Sequence, residues 1–99
     1  MIGKYLAAAL AFAAAAAHAQ ENPAARSLAA SCASCHGTDG RSVTAEVVAL
    51  AGLPKEHIVA QMKAFRDGTR PATVMQQLAK GYSDAQIELV ADYFSRRPR

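Results

Sequence analysis

Residues 32–37 read Cys-Ala-Ser-Cys-His-Gly, and they hold both cysteines of the 99-residue chain. Two thiols three positions apart, with a histidine directly after the second, restrict this chain more than any other feature. Each chemistry open to them demands different surroundings. A disulfide needs an oxidising compartment, and a zinc site needs further ligands. Thiol–disulfide exchange expects a βαβ frame, and anchoring of a prosthetic group expects a fold that can enclose it.

The first nineteen residues set the compartment. Lys4 is the only charge before Glu21, the stretch from Tyr5 to Ala17 is almost wholly Ala, Leu and Phe, and it ends in Ala17-His18-Ala19. A basic start, an apolar run of about 7–15 residues and small residues at −3 and −1 define a secretory signal peptide. Gln20, Glu21 and Asn22 stop the run short of the roughly 20 apolar residues a membrane span needs. Residues 1–19 are therefore expected to be a cleaved leader, and residues 20–99 one exported, periplasmic domain without a membrane anchor. Lys4 leaves with the leader, so ten of the eleven basic residues remain against eight acidic ones. That balance, without a basic stripe interleaved with aromatics, gives no reason to expect nucleic-acid binding. A domain this small commonly needs a staple beyond its own core.

The rest of the chain reads as all-α. Asn22-Pro23 is a helix start, and the Ala-rich segment from Pro23 to about Cys35 carries Leu28, Cys32 and Cys35 at helical spacing. Ala25 and Ala29 are small and four apart, which lets another helix approach closely. Residues 37–52 read as a loop with a buried apolar stretch, "VVALAGL". Pro54 opens a second helix ending near Gly68, with Ile58, Val59, Met62 and Phe65 forming one stripe. Residues 69–81 read as a loop and a short helical turn. The last helix starts at a capping box, Ser83 with Gln86, and lines Ile87, Val90, Ala91 and Phe94 on one face. About four short helices are expected.

Against that background three readings of the cysteine motif weaken. A Cys32–Cys35 disulfide closes too short a loop to constrain eighty residues. Zinc takes four ligands, whereas the mature chain adds only His57 to Cys32, Cys35 and His36. A thioredoxin-like site lacks its strands. Covalent attachment of one haem c uses every residue. Cys32 and Cys35 share a helix face and form thioethers to the porphyrin vinyl groups, His36 places its imidazole on the iron, and Gly37 turns the backbone away without a side chain.

The opposite axial position then decides the chemistry, since methionine there makes an electron-transfer site and an open face permits small-ligand chemistry. Met62 lies on the apolar stripe and reads as core. Met75 lies beyond Arg70-Pro71, where proline favours an extended or turning approach, and is the expected distal ligand. His57, in the first turn of its helix, reads as solvent-facing. Arg70 and Tyr82 are weaker candidates for hydrogen bonds to the haem propionates. Arg96, Arg97 and Arg99 read as a solvated tail.

These residues carry a family resemblance. "SLAASCASCHGTDGRS", "LAGLP" and "QMKAFRDGTRPATVMQQLAKGYSDAQIELVADYF" resemble a class I c-type cytochrome over nearly all of residues 24–95. More narrowly, the chain is similar to the haem domains of the cytochrome subunit of flavocytochrome c sulfide dehydrogenase. The resemblance implies a cytochrome c fold with crossing N- and C-terminal helices and a periplasmic electron carrier. It implies Cys32 and Cys35 as haem attachment sites, and His36 and Met75 as axial ligands. The implied partner is a flavoprotein sulfide dehydrogenase subunit. One departure stands out. Family members often have proline where this chain has Val48, and a carbonyl from that region usually accepts the Nδ1–H of the proximal histidine.

No residue set for substrate turnover is visible, so catalysis by this chain alone is not expected. The alternatives are a free-standing carrier for another dehydrogenase or oxidase, an open-site haem protein, and a small haem-free disulfide domain.

Overall fold

The computed structural model describes residues 21–99. The expected signal peptide and its cleavage after Ala19 lie outside the described residues. Helix α1, Pro23–Ala30, starts as its sequence dictates. The Asn22 side chain accepts from Ala24 N at 2.9 Å and Ala25 N at 3.3 Å, and Pro23 occupies the first helical position, where it has no N–H to lose.

The single helix expected from Pro23 to Cys35 is divided. It pauses at Ser31 and Cys32 and resumes as α2, Ala33–His36. Serine hydroxyls compete for the helix carbonyls here: Ser31 Oγ donates to Leu28 O at 3.4 Å and Ser34 Oγ to Ser31 O at 3.1 Å. Cys32 itself stays in right-handed helical geometry, so His36 N still reaches Cys32 O at 2.9 Å. The pause therefore leaves the two cysteines about one turn apart. It also accounts for five α-helices among the described residues where about four were expected.

A short 3₁₀ turn, Thr38–Gly40, follows α2 and opens a loop over residues 41–49. Helix α3, Lys55–Asp67, begins after Pro54 and is closed by Gly68, whose N–H returns to Ala64 O and Phe65 O. Helix α4 is short, Met75–Ala79, and helix α5, Asp84–Ser95, starts at the expected capping box. There Gln86 N donates to Ser83 Oγ at 3.2 Å, and Ser83 N donates to Gln86 Oε1 at 3.0 Å. All regular structure among the described residues is helical.

Packing centres on α5, which lies against both α1 and α3, while α3 also packs on α4. The α1–α5 crossing uses Ala25 and Ala29, both buried, against the α5 face that buries Val90, Ala91 and Phe94. Five of the ten buried apolar residues described are alanines: Ala25, Ala29, Ala51, Ala79 and Ala91. Small residues bring helices close but cover little apolar area each, so Phe94 and Ile87 contribute disproportionately, about 1.5–3 kcal/mol apiece. The "VVALAGL" stretch is less buried than expected. Ala51 is buried and Leu50 partly so, whereas Val48 and Ala49 are exposed.

Candidate functional site

The site is built on α2 and the loop after it. Cys32 is half-buried at the edge of the core, and Cys35 is exposed. Burial, with a smaller push from Cys35, raises the Cys32 thiol above its ordinary pKa against the hydrogen bond from Ser31. A nucleophilic thiol of an exchange enzyme is instead shifted down. Among the described residues no cluster of three or more His, Cys, Asp or Glu side chains is gathered as for a metal ion.

His36 is held from across the loop. Its Nδ1 lies 2.7 Å from the carbonyl oxygen of Val48. A carbonyl only accepts, so Nδ1 carries the proton and the lone pair of the neutral ring is on Nε2, free to meet a metal. The expected departure from proline at position 48 thus leaves the hydrogen bond intact.

The carbonyl is positioned from the neck of its loop. Leu50 N and Ala51 N both donate to Gly40 O, at 2.8 and 3.1 Å, and Gly52 N donates to Phe94 O at 2.9 Å. Gly40 cannot carry a side chain, because a Cβ would come within 2.8 Å of the Phe94 ring. Gly37 has a related role. At φ +85° its Cβ would sit 2.2 Å from Arg41 O, so glycine is required by the chain's own turn, a reason separate from clearance of a prosthetic group. Asp39, at φ 54°, accepts from the Tyr93 hydroxyl at 2.8 Å and so ties this turn to α5.

Met75 is the first residue of α4 and is half-buried, immediately after the Arg70–Val74 loop. The expected loop approach is correct up to Val74, and the ligand candidate itself opens a helix. Gln76 Nε2 donates to Arg70 O at 2.9 Å, fixing that turn, and Ala79 is fully buried beneath it. Met62 lies against the core on α3, and His57 is exposed, as expected. Arg70 turns back onto α3, with its guanidinium 4.7 Å from the Phe65 ring centroid and a bond to Gln61. Tyr82 lies 3.5 Å, hydroxyl to hydroxyl, from Ser31, joining the segment after α4 to the α1–α2 pause beside Cys32.

The C-terminal arginines are not a uniformly solvated tail. Arg97 lies 4.4 Å from the Tyr93 ring centroid, donates to Tyr93 O at 3.2 Å and pairs with Glu21. Arg96 pairs with Asp92, and Arg99 lies over Gly52. Sequence spacing does not signal the Asp39–Tyr93 bond, which spans 54 positions, or the Arg97–Glu21 pair; Tyr93 and Arg97 are four apart, but whether Arg97 stacks there depends on how the ring is packed.

The residues fit a covalently held haem. Two thiols one turn apart and an imidazole with its lone pair on Nε2 are the donors such a group takes, and Met75, opening α4, is the candidate for the remaining position. Apolar side chains beside both axial candidates are exposed: Val48 at 59%, Val74 at 55% and Leu78 at 51%. A flat apolar ring needs such walls.

Comparison with known proteins supports this chemistry. Residues 22–96 match the family model for cytochrome c. The chain is 43% identical over 67 residues to the cytochrome subunit of sulfide dehydrogenase of Chlorobaculum tepidum, covering 68% of this chain and 60% of that protein. It is 42% identical over 69 residues to the thiosulfate dehydrogenase electron acceptor of Thiomonas intermedia, covering 69% of this chain and 32% of that one. A solved structure of Acidithiobacillus ferrooxidans cytochrome c4 superposes with a TM-score of 0.66 at 31% identity, over 78% of this chain and 51% of that chain. The chain therefore spans from about a third to three fifths of the length of these relatives.

Proposed function

This chain belongs to the cytochrome c family, and from that premise we propose how its residues carry out single-electron transfer and which partner it serves. It is an electron carrier, and haem c, covalently attached, is its cofactor. We assign the thioether bonds to Cys32 and Cys35, the proximal position to His36 Nε2 and the distal position to Met75. The domain corresponds to residues 20–99, released into the periplasm by removal of residues 1–19.

The observation that carries the assignment is the 2.7 Å contact between His36 Nδ1 and Val48 O. It fixes the tautomer, orients the ring and raises the basicity of Nε2. When bound, the haem supplies a reversible one-electron change at its iron. The chain's own part is to hold two axial donors on rigid elements. His36 is fixed by α2 and the Val48 carbonyl, and Met75 by α4 and the Gln76–Arg70 bond. With the group bound, the Met75 thioether would raise its potential and leave no open position for small ligands. Leu50, Leu53, Val59 and Met62 pack partly buried against the helical core and supply apolar surface behind these elements.

The likeness to a sulfide dehydrogenase cytochrome subunit supports a flavoprotein sulfide dehydrogenase as the electron donor. The likeness to a thiosulfate dehydrogenase electron acceptor supports a second reading, a carrier serving a different dehydrogenase of reduced sulfur compounds. Purification of the haem-loaded protein from its native periplasm separates the two. An equimolar flavoprotein that reduces it on addition of sulfide supports the first. A cytochrome recovered alone, reduced by thiosulfate dehydrogenase and not by a sulfide-oxidising flavoprotein, overturns it.

A further inference from the structure

The carbonyl of Val48 sits in a loop with no proline to stiffen it, yet it reaches His36 Nδ1 at 2.7 Å. Something else must hold residues 41–49. Val48 is 59% exposed, and among the described residues its N–H donates no hydrogen bond, so apart from the His36 contact itself residue 48 is not held by its own groups. The restraint lies at the neck, where Gly40 O accepts from both Leu50 N and Ala51 N and Gly52 N donates to Phe94 O of α5. Gly40 is in turn the last residue of the Thr38–Gly40 turn, whose middle residue, Asp39, has a left-handed backbone. One side-chain bond ties that turn to the helical core, from Tyr93 Oη to Asp39 Oδ1 at 2.8 Å. The other Asp39 oxygen faces Arg41 at 3.6 Å, within the same turn.

We infer that Tyr93 is a positioning residue for the axial imidazole, acting through Asp39 to hold the neck of the loop that presents the Val48 carbonyl to His36. The hydrogen bond from α5 takes the place of a proline in the loop. The phenol is well suited to the role. Its ring is buried edge-to-face against Phe94, 5.3 Å between centroids, and covered by Arg97 on one side. Burial and the Asp39 carboxylate both favour the protonated, donating form. A tether to an ionised acceptor is stronger than one between neutral groups.

The inference rests on the assignment of His36 as proximal ligand. Tyr93→Phe keeps the ring and removes only the donor. In the haem-loaded protein, amide exchange at Leu50 and Ala51 and exchange of the His36 Nδ1 proton are expected to accelerate about tenfold or more. A less firmly held Nδ1–H makes Nε2 less basic, which favours the reduced iron, so the reduction potential moves upward. Adding Val48→Pro to Tyr93→Phe restores the potential, because the loop is stiffened by other means. Should Tyr93→Phe not yield folded protein, Asp39→Asn keeps an acceptor oxygen and tolerates the backbone while weakening the bond. It should then shift the potential in the same direction by less. A lower unfolding midpoint with unchanged potential and unchanged His36 proton exchange, in whichever variant folds, overturns the inference. If the unmodified holoprotein lacks paramagnetically shifted His36 ring resonances, the ligand assignment itself falls, a result distinguishable from failure of the tether.

Discussion

Arg97 lays its guanidinium 4.4 Å from the centroid of the Tyr93 ring and donates from Nε to the Tyr93 carbonyl. The same side chain pairs with Glu21, so it joins the start of the described chain to the end of α5. Only 19% of it is exposed. It packs as an aromatic-stacking strut more than it serves as a surface charge.

Arg97→Ala is therefore expected to cost about 1–3 kcal/mol, read from the denaturant midpoint of the haem-loaded protein. Arg97→Lys should recover little of that, because an ammonium keeps the charge and loses the planar stack. Arg96→Ala should stay within about 0.5 kcal/mol, since its pair with Asp92 is a solvent-exposed one on the helix surface.

Met75→Ala should open the distal face. The oxidised protein would lose its methionine–iron charge-transfer absorption, and the reduced protein would bind carbon monoxide rapidly. Met62→Ala should leave both properties unchanged and cost about 1–3 kcal/mol of stability, as a partly buried core side chain does. His57→Ala should change neither the spectrum nor the stability. A Met75→Ala protein with an unaltered spectrum would assign the sixth ligand elsewhere.

Two glycines with positive φ should respond very differently to alanine. Gly37→Ala drives a Cβ to 2.2 Å from Arg41 O, and the turn beyond His36 must move; a loss of about 2–4 kcal/mol and a reduced yield of haem-loaded protein are expected. At Gly68 no atom lies within 4 Å of the added Cβ, so only the left-handed backbone is penalised, by about 1 kcal/mol. Parallel melts of the two variants test the contrast.

The pH dependence of stability has a limb on each side. Arg66, by hydrogen bond and then by charge, with help from Lys63, holds the Asp84 carboxyl below its ordinary pKa at the start of α5. Its contribution is present above the ordinary carboxylate range and is lost as pH falls through the folded value. Asp84→Asn should flatten that acid limb. Burial and the Asp39 carboxylate push the Tyr93 phenol up, so its contribution is complete below the ordinary phenol range, near 10, and disappears as pH rises beyond it. Tyr93→Phe should flatten the alkaline limb in the same urea titrations.

Much of this protein is legible in its sequence, and for local reasons. Attachment chemistry demands two thiols and a histidine at fixed spacing, so Cys32, Cys35 and His36 identify themselves within six residues. Asn22-Pro23 and the Ser83–Gln86 box satisfy helix ends with groups at most three positions away, and they read correctly without a structure. The periodic faces of α3 and α5 are likewise local patterns, and they place Ile58, Ile87, Val90, Ala91 and Phe94 in the core.

What the sequence left open lies mostly in contacts between distant residues, with one local exception. The pause at Ser31, small as it is, comes from hydroxyls choosing among carbonyls within a turn. The burial of Arg97 depends on where α5 ends against Glu21, and a run of terminal arginines looks the same whether stacked or solvated. The Val48 carbonyl was expected only through a family resemblance, and the means of holding it was not expected at all. Any residue offers a carbonyl, so its identity carries no signal. Its position is set by the neck at Gly40 and by the Tyr93–Asp39 bond, which spans 54 positions of chain. Residue types sufficed to name the chemistry of the site; only tertiary packing decided how firmly His36 is held, because that firmness belongs to backbone groups and to partners on another helix.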